Sequence, residues 1–257
     1  MSDTLLQAVA EVARLTGDAA MRHFRTTLAV ETKGDGSPVT IADREAEEVA
    51  RAWIGARFPS DGVLGEEFGA SRESAGRRWI IDPIDGTKSF VRGVPMWATL
   101  IAVCEGSDVL AGAAYYPGTS ELLCAAPGAG CWWNDVRAQV SAVSALREAA
   151  VLTTDTRFQD QASRREGWDV LAARSFVARS WGDAYGYLLV ATGRAEVMVD
   201  PVMNAWDAAP FLPIITEAGG VFTDWGGQRT AFGGNAIATN AALAAESRAV
   251  LGAGAVV

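Results

Sequence analysis

Histidine is almost missing from this 257-residue chain, which has one, His23. A Ser-His-Asp triad or a histidine-built metal site needs imidazole beside the reacting group. A single histidine near the end of an N-terminal helix therefore reads as structural, and serine hydrolases and histidine-nucleophile enzymes drop out. Cysteine is scarce as well. Cys104, Cys124 and Cys131 lie in or near apolar, strand-like stretches without C-x-x-C spacing. That excludes a zinc site or disulfide framework and fits reduced, buried thiols in a cytoplasmic protein. There is no run of about 18 apolar residues, so no membrane crossing is expected, and the opening Met-Ser-Asp-Thr-Leu-Leu lacks the pattern of a secretory signal. Basic residues are outnumbered, 22 Lys and Arg against 31 Asp and Glu, for a net charge of −9 and a pI near 4.7. No basic cluster stands out, so nucleic acid and anionic lipid are not expected partners. A phosphorylated substrate stays open, provided that bound metal supplies the positive charge.

What is present is ordinary for a soluble globular protein, with 49% hydrophobic and 21% charged residues. The length allows one large domain or two intimately packed halves. Apolar residues from Leu5 to Phe24 recur at helical spacing and predict a helix over roughly residues 1–27. Leu28, Val30 and Thr32 alternate like a strand. The polar segment from Lys33 to Pro38 is either a surface hairpin or a lid carrying Lys33 inward. Thr40 has the character of an N-cap for a helix ending before Pro59, with Asp43 in its first turn. Gly62 to Gly65 predicts a short strand running into Glu66 and Glu67. Apolar runs between Ala98 and Trp133, separated by Pro-Gly turns, predict an antiparallel meander. Beyond residue 145 strands and helices alternate, and a helix from Trp206 to Ala218 should kink at Pro213. The expected organisation is layered α+β, with an N-terminal half at 1–143 and a C-terminal half at 144–257.

The most informative stretch runs from Trp79 to Phe90. Trp79-Ile80-Ile81 predicts a buried strand that delivers Asp82, and Pro83 should end it. Asp85 follows, and Gly86 permits a sharp turn before Thr87 opens a short helix. Oxygen ligands at a strand end followed by free N–H groups suit a divalent cation beside a phosphate; an Asx-type turn with solvated aspartates is the alternative. Glu66, Asp82, Asp85 and Asp207 each sit at a strand end or helix start, where separate elements can meet. Four carboxylates gathered without Lys or Arg would repel strongly, and two or more divalent cations would resolve that. All-oxygen ligation, with a carbonyl such as that of Ile84, suits Mg²⁺ better than zinc.

Glu66-Glu67 after Gly65, Asp82-Pro83-Ile84-Asp85-Gly86-Thr87, and Trp206-Asp207-Ala208-Ala209 with Glu217-Ala218-Gly219-Gly220 resemble the inositol monophosphatase family over nearly the whole chain. The resemblance implies an αβαβα sandwich, Mg²⁺ dependence with two to three ions per site, and a homodimer. It implies that Glu66, Asp82, the Ile84 carbonyl and Asp85 hold a first metal, and that Asp82, Asp85 and Asp207 hold a second. Asp43 and Glu66 would position a third ion or its waters, Thr87 would orient the attacking water, and the N–H groups of Gly86 and Thr87 would take phosphate oxygens. Such parts suit direct in-line attack of metal-activated water on phosphorus.

Asp183, in Trp181-Gly182-Asp183-Ala184-Tyr185, stands where inositol-type members carry a small neutral residue, and Asp200 matches a position that faces substrate. Two acids around the organic half favour a cationic substrate. Together with Asp-Gly-Thr-Lys-Ser-Phe this resembles the histidinol-phosphatase branch, and L-histidinol phosphate carries an ammonium and an imidazole. The alternatives are that Asp183 only caps the next helix, that the enzyme is a broader inositol or sugar monophosphatase, or that it has a protein-interaction role.

Overall fold

The computed structural model describes residues 2–34, 36, 38–158 and 161–257. Two sheets organise them. The larger has eight strands in the spatial order 136–137, 130–133, 121–126, 108–116, 98–105, 77–85, 62–65, 69–71, antiparallel except where Gly62–Gly65 runs parallel to Arg77–Asp85. The smaller has five, in the order 177–179, 150–153, 197–200, 236–240, 220–223, with parallel pairs on one side and antiparallel pairs on the other.

Successive strand residues point to opposite faces, and both sheets are apolar on both. Trp79, Ile81, Ile101 and Val103 pack under the helices Ser2–Met21 and Ile41–Arg57, against Val9, Val12 and Ile54. Their neighbours Ile80, Leu100, Ala102 and Cys104 face the other way, into a core shared with Leu188, Ile214 and Phe211. These come from the helices Asp183–Ala191 and Phe211–Glu217, which also cover Leu152, Met198 and Ala238 of the smaller sheet. Val151, Val197, Val199 and Ile237 on its far face meet Trp168, Leu171 and Leu251 of the helices Ala162–Arg174 and Ala244–Leu251. The layers therefore run αβαβα, as expected, and the meander from Ala98 to Trp133 forms as the turn spacing predicts.

Three local expectations need correction. The first helix ends at Met21; Arg22, His23 and Phe24 then bond to carbonyls three residues back, in tightened turns that no longer count as α-helix. Pro83 does not end its strand. The strand continues to Asp85, while its register against Ala98–Glu105 jumps from Asp82↔Leu100 to Asp85↔Ala98. Pro83 has no N–H to give, so the ladder skips it, and the bulge re-aims the side chains that follow. The helix after Asn204 breaks at Ala209–Pro210, one turn before the expected kink. Pro210 lacks an N–H for Trp206, and Pro213 lacks one for Ala209. Both missing bonds fall at the same place, so Pro213 sits undisturbed in the first turn of the second segment. Across the 33–38 segment the Gly36 N–H donates to the Lys33 carbonyl at 2.9 Å, and the flanking residues Glu31–Thr32 and Pro38–Val39 pair; Asp35 and Ser37 lie outside the described residues.

Candidate active site

The acids converge because of strand direction. Parallel pairing of Gly65 with Ile81 places the two C-terminal strand ends side by side, and the Glu66 N–H continues that pairing by donating to the Ile81 carbonyl at 3.1 Å. Glu66 thus arrives next to Asp82. The bulge at Pro83 sends Asp85 to the same side, while Asp82 Oδ1 accepts the Ile84 N–H at 3.0 Å. The Asx-type turn forms, but not with solvated aspartates, since Asp82 is 2% exposed and its carboxylate also belongs to the acid cluster. Gly86 then takes a left-handed φ of +86°, accessible cheaply only to glycine. Its carbonyl accepts the N–H groups of Ser89 and Phe90 to start the helix Thr87–Val91.

Asp207 completes the group. Carboxylate oxygens of Asp82, Asp85 and Asp207 all lie within 4.8 Å of one another. Burial holds the Asp82 carboxyl well above the usual range, and Glu66, Asp85 and Asp207 push it further. Burial also raises Asp85, reinforced by Asp183 and Asp207. Asp207 rises to about 7, through burial first and then Glu66, although the Asn204 N–H works against the shift. Among the described residues no Lys or Arg forms a salt bridge with any of these three. The four acids were expected to gather without Lys or Arg, and at Glu66 they do not, since Lys33, carried inward as one reading of its loop allowed, is there. Lys33 Nζ reaches Glu66 and Glu67, each at 2.7 Å. Burial alone would lower the lysine's pKa, but these two partners raise it, while burial lifts Glu67 to about 7.

Asp43 and Asp207 share a device. Each is the third residue of a helix whose cap N–H it accepts at 2.7 Å, from Thr40 and Asn204 respectively. A capping box fixes the carboxylate at a helix start, and the second oxygen is left to face the site. For Asp43 that oxygen lies 3.3 Å from the Thr87 hydroxyl, which also donates to the Ile84 carbonyl at 2.9 Å. Burial raises the Asp43 carboxyl, moderated by Thr40. The sequence marked Thr40 as a cap with Asp43 in its first turn, but not Asn204 before Asp207, and neither as a means of aiming acids.

Beside the cluster a cavity of about 80 Å³ is lined by Asp85, Asp183, Tyr187, Asp200, Met203 and Asp207, among others. Asp183 is the first residue of its helix but does not cap it, and it holds a left-handed φ of +49°. Its N–H donates to Thr154 Oγ1 at 2.8 Å, and the next N–H, of Ala184, donates to Asp85. A Cβ on Gly86 would sit 3.4 Å from the Asp183 carboxylate, so this acid overhangs the turn at Gly86. Burial raises its pKa against a smaller pull from Lys88. Asp200 reaches the same cavity with both oxygens engaged, by the Tyr187 hydroxyl at 2.9 Å and the Thr154 N–H at 3.3 Å. Burial lifts it to about 6. Thr154 and Tyr187, absent from the sequence argument, carry no local signal; only the fold brings them here. The chain's two lysines, Lys33 and Lys88, both stand near these acids. Glu217 does not. It holds the loop N–H groups of Gly128 and Gly130 at 2.9 and 2.8 Å, a structural task.

The model of the inositol monophosphatase family matches residues 1–253, and the chain belongs to that family. It is 40% identical over 251 residues to a histidinol-phosphatase of Chlorobaculum parvum, covering 97% of both chains. It is 38% identical over 257 residues to a histidinol-phosphatase of Mycobacterium tuberculosis, covering 98% of this chain and 99% of that one. Among solved structures, the extragenic suppressor protein suhB of Bartonella henselae superposes with a TM-score of 0.91 at 28% identity, over 96% of this chain and 98% of that one.

Proposed function

We propose that this chain is a Mg²⁺-dependent phosphomonoester phosphatase whose substrate is L-histidinol phosphate. The observation that carries the reading is the set of three carboxylates within 4.8 Å, without an ion-paired Lys or Arg among the described residues. Buried acids whose ionisation is opposed by burial and by one another call for a cation, and an all-oxygen donor set suits a hard one. In this reading Glu66, Asp82, the Ile84 carbonyl and Asp85 would hold one ion, and Asp82, Asp85 and Asp207 would hold a second. Asp43 and Glu66 serve a third ion or its waters. The Ile84 carbonyl, already accepting from Thr87, has a second lone pair to offer. Bound divalent cations supply Lewis-acid charge toward phosphoryl and water oxygens.

The protein's own groups do the orienting. Because the Thr87 proton is directed toward Ile84 and Asp43, its oxygen lone pairs are left to accept from an attacking water. The N–H groups of Gly86 and Thr87 take phosphate oxygens at the start of the short helix. Asp183 and Asp200 flank the alcohol half and favour an ammonium-bearing one, which agrees with the activity named for the two relatives. The reading includes a cytoplasmic homodimer, for which light scattering on the purified protein is the check.

A phosphate-release panel with and without Mg²⁺ tests this directly. L-histidinol phosphate should give the highest kcat/KM, and chelation should abolish release. A higher kcat/KM on inositol phosphate would favour a broader inositol or sugar phosphatase, the reading that the family resemblance itself supports. A protein-interaction role would show as a pull-down partner retained after Asp85→Asn.

A further inference from the structure

Asp43, Glu47 and Arg51 recur every fourth residue and so lie along one face of the helix Ile41–Arg57. The first faces Thr87. The second is the only member of the row that is charged, wholly enclosed and unassigned by the mechanism above. Glu47 has no exposed surface. Its Oε2 accepts the Glu67 N–H at 2.7 Å, and its Oε1 accepts the Phe68 N–H at 3.3 Å and Arg51 Nε at 2.7 Å. Arg51 in turn donates through Nη2 to the Gly69 carbonyl at 2.5 Å. A carboxylate and a guanidinium on one helix therefore grip the turn between the paired glycines Gly65 and Gly69.

That turn presents Glu66. On one side the Glu66 N–H is held by Ile81, and on the other the next two N–H groups are held by Glu47. The approach is so close that a Cβ on Gly65 would lie 1.9 Å from Glu47 Oε1, so a residue with any side chain at 65 would displace the carboxylate. Turn N–H groups could be satisfied by water. Burying an ion pair for the purpose brings little net stability, but it fixes direction. Two charge-assisted bonds to consecutive N–H groups leave the turn one orientation.

We propose that Glu47 is a positioning residue that aims Glu66 at Asp82 and so sets the affinity of the site for Mg²⁺. This rests on the metal-site reading above. Partners that orient ligands without touching the ion change affinity by about 10- to 100-fold when replaced.

The experiment is Glu47→Gln, which keeps the shape but sets an amide donor against a donor. Mg²⁺ titrated calorimetrically into the metal-free protein should bind 10- to 100-fold more weakly than to wild type. The kcat for phosphate release at saturating Mg²⁺ should fall by a smaller factor. A lowered thermal midpoint with unchanged Mg²⁺ affinity would make Glu47 purely structural and overturn the proposal. Should Glu47→Gln fail to fold, Glu47→Asp decides in its place, because it keeps the charge for Arg51 but draws the carboxylate back from the Glu67 and Phe68 N–H groups; weaker Mg²⁺ binding supports the proposal and unchanged binding overturns it. Wild-type protein that binds no Mg²⁺ would instead remove the metal reading, a separate result.

Discussion

Two kinds of buried acid occur in this molecule, and they differ in what neutralises them. Asp61 is enclosed at 4% exposure and receives Arg77 through Nε at 2.7 Å and Nη2 at 3.1 Å, with the Trp79 ring N–H at 2.9 Å. Glu47 has Arg51 and two main-chain donors. Each carries its own counter-charge, and each holds structure in place. Asp82, Asp85 and Asp207 have none among the described residues, and they sit within 4.8 Å of one another. The folded chain thus completes the charge balance of one set and not of the other, and under the proposed function a cation from solution would complete the second. All five are carboxylates, and Asp82 is as enclosed as Asp61 and Glu47 while Asp85 and Asp207 are half-buried; what separates the two sets is the guanidinium.

The sharpest way to break that distinction is Asp85→Asn. Activity should fall by roughly a thousandfold, equivalent to about 4 kcal/mol in the barrier. The thermal midpoint of the metal-free protein should rise, because one of three repelling anions is gone. Scanning calorimetry in chelator reads this, and a lowered midpoint would mean that Asp85 is paired after all. Asp61→Asn should do the opposite. Stranding Arg77 should cost about 3 kcal/mol, visible in urea unfolding, while kcat of the folded fraction stays near wild type. Comparable losses of activity in both variants would erase the contrast.

Asp183 and Asp200 belong to the unpaired kind but face the cleft. Asp183→Ala should lower kcat/KM for L-histidinol phosphate by about tenfold, against little change for an aryl phosphate without a cationic group. Equal losses on both substrates would place Asp183 in the common chemistry rather than in selectivity.

The smallest effect is in pH. The folded-state pKa of Asp207 is raised from 3.8 to about 7, and those of Asp200 and Glu67 to about 6 and 7. Between about pH 4 and 7 the folded metal-free protein therefore binds more protons than the unfolded chain. The share of its stability that these three groups contribute is full below about pH 4 and is lost as pH rises through about 7. Thermal midpoints in chelator at pH 5, 6, 7 and 8 should descend and then level, and saturating Mg²⁺ should flatten the series. A rising series would contradict the assignment.

Much of this was legible because the informative features are local. Gly62 to Gly65 is the strand that its composition predicts, Thr40 caps its helix as its hydroxyl suggests, and apolar runs separated by turns give the meander. The errors are local conflicts resolved from outside the segment. Pro83 reads as a stop, yet pairing of Asp85 with Ala98 keeps the chain extended past it. Pro213 reads as the kink, yet the donors missing at Pro210 and Pro213 leave the break at Ala209–Pro210. Lys33 was a candidate from its loop, but nothing in its neighbours names Glu66 and Glu67 as its partners. Asp200 was expected to face substrate, and it does line the cleft, but Tyr187 and Thr154 already hold both of its oxygens.

The sequence by itself determined which residues can bear the chemistry and which layers can form, because carboxylates, glycine turns and apolar periodicity act within a few bonds of the backbone. Only the tertiary structure decided which acids would be paired. Ion pairing depends on whether a guanidinium from a distant element arrives within a few ångströms, and strand direction and helix placement set that arrival across the whole chain.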